Sequence, residues 1–280
     1  MRPTTLGVIG LGAIGGSLAR LAKQSKVSSV LGWSPDALER RAALEAGALD
    51  DAPVEPAAIA KAADLLVLAA PPAANLQLLE ILAPHLSPRT LVTDVGSVKR
   101  AIVERAERLR LGPRFAGSHP LAGTHGHGFW ASRDTLLVNA VVYVTPTNEG
   151  AAAAREVAGF WESVCGARTV LIDALAHDRQ MAVTSHLPQV IASLLGRYLA
   201  DHAPAGAPLG PGARDTTRLA ASDPPLWTEI LLMNRDALLP VLRGLEEPLG
   251  ELERGLEEGD PIAVEAWLAK GAVWRRGVDG

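Results

Sequence analysis

Two patterns of apolar positions divide the chain. Up to about residue 173, short apolar runs alternate with stretches of helical periodicity. The runs at 5–9, 28–33, 64–69, 90–93, 114–117, 140–144 and 168–172 read as strands, and 13–23, 36–46, 56–62, 73–83, 98–109 and 149–165 as helices. Such alternation builds a mostly parallel, doubly wound sheet with helices on both faces, and its ligands bind beyond the carboxyl ends of the strands. The turns at Gly10, Ala70-Pro71-Pro72, Asp94-Val95-Gly96-Ser97 and Ser118-His119-Pro120 follow strand ends and should converge on one crevice. From about residue 174 only helical periodicity remains. Met181, Thr184, Leu187, Ile191, Leu194 and Tyr198 recur three and four apart, a stripe expected to be buried, and Pro188 should kink it. Proline and glycine hold 203–212 open as a loop, and helices resume over 224–242, 248–257 and 261–273. The organisation expected is an α/β domain over 1–173 and an all-helical domain over 174–280, the latter suited to closing over a substrate and to carrying a dimer interface. The apolar density of Ile230-Leu231-Leu232-Met233, Leu238-Leu239 and Val241-Leu242 exceeds what one amphipathic face needs, which favours a homodimer through this domain.

The first strand runs straight into Gly10-Leu11-Gly12-Ala13-Ile14-Gly15, and a helical stretch follows. G-x-G-x-x-G between a strand and a helix is the Rossmann-type dinucleotide fingerprint: one glycine for the turn, one for close approach of the pyrophosphate, one for packing the helix on the sheet. Candidate cofactor contacts are Gly10, Leu11, Gly12, Ala13, Ile14 and Gly15, with Ser34, Ala70, Pro71, Asp94 and Ser97 from later strand ends. The second strand ends at Ser34, where an acid commonly binds the ribose of NAD. Ser34 with Arg40 and Arg41 leans toward NADP. Asp36 keeps NAD open, and its other reading is an acid in the first helical turn with Ser34 as cap.

Composition narrows the rest. The chain is 48% hydrophobic and 21% charged with a net charge of −4, which suits a globular protein and gives no footprint for nucleic acid. No apolar run is long enough to cross a bilayer and no signal peptide precedes the first strand, so a cytoplasmic location is expected. One cysteine, Cys165, excludes an internal disulfide and a thiolate metal cluster. His125-x-His127 lacks a cysteine or carboxylate companion, and no metal is expected.

Gly117-Ser118-His119-Pro120-Leu121-Ala122-Gly123 sets a histidine in a glycine- and proline-rich loop downstream of the fingerprint. A histidine there can take a proton while a nicotinamide takes a hydride. This loop and Thr93-Asp94-Val95-Gly96-Ser97-Val98-Lys99 resemble the two signatures of prephenate and arogenate dehydrogenases. Ser185-His186-Leu187-Pro188, Arg214-Asp215-Thr216-Thr217-Arg218-Leu219-Ala220 and Ser222-Asp223-Pro224-Pro225-Leu226-Trp227 with Asn234 extend the resemblance in the family's order. It implies oxidation of the ring C4 alcohol of prephenate or arogenate by NAD(P)+, with loss of carbon dioxide, in L-tyrosine biosynthesis. By similarity His119 accepts the hydroxyl proton, Ser97 hydrogen-bonds the histidine, the hydroxyl and the nicotinamide region, and Arg218 clamps a substrate carboxylate. Read without the resemblance, Ser97 is a helix N-cap and Arg218 pairs with Asp215 on the surface.

His186, Gln189, Thr124 and His125 are the candidate substrate-pocket residues. Gln189 stands where many prephenate-specific relatives have a second histidine, and His125 where some relatives have an acid. Both departures leave the choice between prephenate and arogenate open. A β-hydroxyacid dehydrogenase or an imine-reductase-like enzyme shares the layout but usually relies on a lysine or another acid in the helical domain. A non-catalytic dinucleotide-sensing protein has no use for Ser97, His119 and Arg218 together.

Overall fold

The computed structural model describes residues 2–123, 126–204 and 206–278. Strand β1 (Thr5–Ile9) leads into α1 (Ala13–Gln24), followed by β2 (Ser29–Trp33), α2 (Ala37–Glu45), α3 (Pro56–Ala62), β3 (Leu65–Leu68), α4 (Pro72–Leu82), β4 (Leu91–Asp94) and α5 (Arg100–Arg108). The four strands pair in parallel in the order β2-β1-β3-β4. All of β3 is buried, because helices cover both faces of a parallel sheet. Its alternating side chains serve two cores: Leu65 and Val67 join Leu6, Val8 and Leu18 on one face, Leu66 and Leu68 join Ile59, Leu79 and Val92 on the other.

A bridge between Val92 and Phe115 carries the sheet on to β5 (Ala116–Pro120), β6 (Val141–Pro146), α6 (Ala151–Cys165) and β7 (Arg168–Leu171). Strand β6 runs antiparallel to β5 and β7 parallel to β6, so the last two strands reverse the sheet's direction. Among the described residues the β5–β6 connection holds a short 3₁₀ turn at Phe129–Ala131, whereas a parallel neighbour is usually reached through a crossover helix. His119 therefore lies on a strand, opposite Tyr143, and not in a loop.

Helices α7 (Ala174–Met181) and α8 (Leu187–His202) are joined by a π turn at Ala182–His186. Pro188 removes a ladder donor, and the wide turn just before it absorbs the break. The extra residue advances the helix phase by about 100°. His186, Gln189 and Ala192 become the buried positions, whereas Leu194 is 60% and Tyr198 59% exposed in the single chain, so the expected buried stripe is not one. Helix α9 (Pro211–Thr217) starts at the end of the expected loop, and a 3₁₀ turn, Arg218–Ala221, follows. The long helix expected over 224–242 is two, α10 (Pro224–Met233) and α11 (Arg235–Arg243), which meet at buried Asn234, where the backbone departs from helical geometry (φ −106°, ψ 18°) and the side-chain amide donates to the Asp178 carbonyl (2.7 Å) and to His186 Nδ1 (3.0 Å). Helices α12 (Glu246–Glu257) and α13 (Pro261–Val278) close the chain. Leu232, Leu239, Leu249, Leu256, Ile262 and Trp274 stay exposed on α10–α13.

Candidate active site

The strand-end turns line one crevice of about 580 Å³ beyond the carboxyl ends of the parallel strands. Its floor is the glycine turn. Gly10 has φ +102°, and a Cβ there would meet the Ala69 carbonyl carbon at 2.6 Å. A Cβ on Gly15 would lie 1.9 Å from the Gly10 oxygen. Gly12 faces open space, and α1 begins beyond it with no side-chain cap, so the first-turn N–H groups meet the crevice. These are the features that admit a pyrophosphate. Gly12, Ala13, Ile14, Ala70, Pro71 and Ser97 line the cavity. Leu11 does not: its side chain is fully buried in the core, which leaves it only backbone to offer.

Asp94 also departs from its expected place. Its carboxylate is buried and committed to protein, accepting from Lys99 Nζ, Gly96 N–H (2.8 Å) and Ser118 N–H (3.3 Å). Lys99, fully buried, also donates to the Ser118 carbonyl at 2.8 Å. Burial pushes Asp94 up and Lys99 down in pKa, and each partner's charge opposes the other's shift. The pair thus works from beneath, holding β4 to the strand that carries His119.

At the end of β2 the buried Ser34 hydroxyl donates to Glu39 and accepts from Asp36 N–H at 3.2 Å. Asp36 itself caps α2, receiving Leu38 N–H at 2.7 Å. The Arg40 guanidinium is turned onto the Ser34 carbonyl at 2.5 Å, while Arg41 is exposed. The acid beside this strand end is therefore Glu39, whose Oε1 also approaches Gly128 on the crevice rim.

His119 lines the crevice half-buried. Its Nδ1 lies 2.9 Å from His177 Nε2, and His177 Nδ1 lies 2.8 Å from Asp178 Oδ1. Asp178 also receives the Lys99 and Arg100 N–H groups at 2.7 and 2.9 Å, so α5 is capped by a carboxylate from α7. Ser97 is not that cap and makes no hydrogen bond to His119; it lies before the helix, on the crevice wall. Burial, then His177, Lys99 and His186, hold His119 well below the usual imidazole value. Burial also lowers His177. Burial opposes ionisation of Asp178, but His177 and the two backbone donors overcome it and hold the carboxyl below its ordinary value.

The helical domain supplies the opposite wall through Ala221, Ser222, Asp223, Pro224, Leu226 and Trp227. Glu229 fastens this wall by accepting the Ala73 N–H at 3.1 Å. His186 is fully buried behind it, its ring edge-on to Trp227 with centroids 6.1 Å apart. Its Nδ1 faces Asn234, and its Nε2 has no partner among the described residues. Burial lowers its pKa to about 4. Gln189 is not in the pocket: its amide donates to the Leu219 carbonyl (2.8 Å) and so pins the 3₁₀ turn. Arg218, on that turn, is exposed, does not line the crevice of the single chain and forms no pair with Asp215 among the described residues. Thr124 and His125 lie outside the described residues. No metal-binding cluster and no helix long and apolar enough to cross a membrane occur among the described residues.

His177, Asp178, Lys99, Glu39 and Asn234 carry much of this arrangement and were not among the candidates. Lys99 stood in the second signature and Asn234 in the last element of the resemblance, while the spacing of His177, Asp178 and Glu39 offered no signal.

Two family models match: the prephenate dehydrogenase nucleotide-binding domain over residues 18–171, and the prephenate dehydrogenase dimerization domain over 173–270. A cyclohexadienyl dehydrogenase of Zymomonas mobilis is 34% identical over 91% of this chain and 89% of its own. The structure of A. aeolicus prephenate dehydrogenase in complex with hydroxyphenyl propionate and NAD+ superposes with a TM-score of 0.90 at 28% identity, covering 98% of both chains. Synechocystis arogenate dehydrogenase gives 0.83 at 31% identity, covering 98% of this chain and 99% of that one.

Proposed function

The chain belongs to the prephenate dehydrogenase family, and from that premise we propose that its crevice oxidises the C4 alcohol of prephenate or arogenate with His119 as proton acceptor. It is an oxidoreductase of L-tyrosine biosynthesis with a nicotinamide-dinucleotide domain. The observation that carries the reading is His119: an imidazole on the crevice wall, its neutral form favoured by burial, tethered through Nδ1, with Nε2 bonded to no described residue.

The glycine turn and the open N-terminus of α1 would hold the pyrophosphate, with Ala70, Pro71 and Ser97 nearby. Bound there, the nicotinamide supplies a hydride acceptor for C4. His119 receives the hydroxyl proton, and Ser97 presents a hydroxyl on the same wall. His186 supplies a donor: its Nδ1 accepts from Asn234, which leaves the proton on unpaired Nε2. Such a buried N–H costs about 1–3 kcal/mol while unpaired, and a substrate carboxylate or carbonyl would satisfy it if the wall formed by Trp227 shifts on binding. Arg218 reaches a substrate carboxylate from the rim when the crevice closes.

The dinucleotide is read as NAD+ and not NADP+. Ser34 and Arg40, the grounds for favouring NADP, are engaged by Glu39 and by backbone carbonyls, so a carboxylate stands where a 2′-phosphate would need a cation. The domains divide at 173/174, and the enzyme is a cytoplasmic homodimer joined through the helical domain, whose family model describes dimerization.

Reduced-cofactor absorbance, with prephenate and arogenate and with NAD+ and NADP+ in parallel, tests the reading. His119→Asn lowers turnover by about 10²–10⁴-fold with cofactor affinity unchanged, whereas Arg218→Ala mainly raises KM. Near-normal turnover of His119→Asn refutes the assignment.

A further inference from the structure

We infer that His177 and Asp178 form a proton relay behind His119, which fixes its tautomer and takes up charge as the alcohol is oxidised. The proposal rests on the reading of His119 as proton acceptor.

Donor accounting sets the direction of every hydrogen bond. An ionised carboxylate only accepts, so His177 Nδ1, 2.8 Å from Asp178 Oδ1, carries a hydrogen. Neutral His177 then presents a bare Nε2, and His119 Nδ1, 2.9 Å away, donates to it. The hydrogen of neutral His119 is thereby held on Nδ1, and the lone pair is left on Nε2. Without this chain the two tautomers compete, and one of them presents N–H where a base is needed.

The reaction needs a group that holds a proton and gives it back. The conversion releases no net proton. The C4 hydroxyl proton passes to His119 Nε2 as C4 becomes a carbonyl and its hydrogen leaves as hydride. When the ring carboxylate departs as carbon dioxide, its electron pair aromatises the ring, and the C4 oxygen takes a proton again. During the interval His119 is cationic close to buried Lys99, an unfavourable place for the charge. Transfer of the Nδ1 hydrogen to His177 Nε2 moves the charge next to Asp178, with the His177 Nδ1 hydrogen still bonded to that carboxylate. Return of the proton reverses both transfers.

The surroundings are arranged for this. The groups facing the relay are Lys99 and Asp94 from the β4–α5 segment, Tyr143 from β6 and His186 from the π turn. Lys99 opposes a cation on either histidine, while Asp178 and Asp94 favour one on His177. Asp178 is fixed by two backbone N–H groups of the first domain although it sits on α7 of the second. The relay therefore spans the domain junction, and the base is aligned only when the two halves are docked.

His177→Gln and Asp178→Asn, measured beside His119→Asn in the full-length enzyme with prephenate and NAD+, test the inference. In His177→Gln the amide oxygen still accepts from His119 Nδ1 but cannot take a proton. Its kcat should fall by about 10–10²-fold with KM and the NAD+ Kd within about twofold. Asp178→Asn should lose about 10²-fold or more in kcat through the wrong tautomer, and its acidic limb of kcat should move to lower pH because the cation has lost its carboxylate. A structural role for these residues lowers Tm or weakens NAD+ binding but leaves the limb and the kcat/KM split in place. Wild-type kcat and pH profile in His177→Gln overturn the relay, even if Asp178→Asn fails to fold. If His119→Asn turns over normally, the proton-acceptor reading itself is what fails.

Discussion

Replacing Lys99 by methionine isolates the contribution of the ion pair beneath the site. Lys99 and Asp94 are both buried, and the ammonium also serves the Ser118 carbonyl at 2.8 Å. Methionine roughly keeps the length of the side chain but removes both bonds. Asp94 would retain only the Gly96 and Ser118 N–H groups, at 2.8 and 3.3 Å. Breaking a buried pair from one side costs about 3–5 kcal/mol, because a buried charge is left uncompensated. At about 2–4 °C per kcal/mol for a chain of this size, Tm should fall by about 6–20 °C.

The loss should depend on pH in a defined direction. Burial already raises Asp94, and without Lys99 that shift is no longer opposed. A carboxyl whose folded pKa lies above its unfolded value contributes stability below the unfolded pKa and loses it as pH rises through the folded pKa. The deficit of Lys99→Met should therefore be largest at neutral pH and shrink on acidification, and adding Asp94→Asn should restore part of it at pH 8. Catalysis gives a second readout. His119 must be neutral, and its lowered pKa places the acidic limb of kcat/KM in the wild type below the ordinary imidazole value of 6.5. Lys99 is one of the charges that lower it, so the limb should move up in Lys99→Met. Thermal unfolding at fixed protein concentration from pH 5 to 8, with initial rates over the same range, measures both. A Tm within about 2 °C of the wild type at neutral pH would show that the pair is energetically idle, and an unmoved limb would show that its field does not reach His119.

Two further outcomes bear on cofactor and assembly. Glu39→Gln should raise the NADP+/NAD+ ratio of kcat/KM by about tenfold or more, equivalent to ~1.4 kcal/mol of relieved repulsion; a wild-type enzyme that already prefers NADP+ would remove Glu39 from this role. Leu194→Glu with Tyr198→Glu, on the exposed stripe of α8, should convert a dimer to monomers in light scattering while leaving the first domain's NAD+ affinity intact, and an unchanged mass would place the interface elsewhere.

What was legible in the sequence was whatever a short segment specifies by itself. The turn at Gly10 follows from one strand meeting one helix, and both ends lie within a few residues. The direction of β6 was not legible from alternation, because it is set by the connection from β5 and not by the strands' own patterns. Lys99 shows a different limit: its partner Asp94 is five positions away, yet the pair matters only because distant elements bury it. His177 lies 58 positions from His119, and nothing in its neighbourhood announces the contact. Gln189 has the chemistry expected of a pocket residue but spends it on the Leu219 carbonyl, a use visible only once the turn is placed.

The π turn joins these threads. One added residue rotates α8 so that His186 and Gln189 face inward with Met181, while Leu194 and Tyr198 face out. A straight continuation of α7 would instead carry positions 185, 188 and 192 on the inner face with Met181. Pro188 would then sit there without a donor, and His186 would turn away from Asn234. The same local irregularity thus places an unpaired imidazole N–H behind the crevice wall and exposes the apolar stripe that a second subunit would cover. On the proposed reading, substrate recognition and assembly would both depend on the phase of one helix, and a periodicity reading that assumes regular helix misplaces His186, Leu194 and Tyr198.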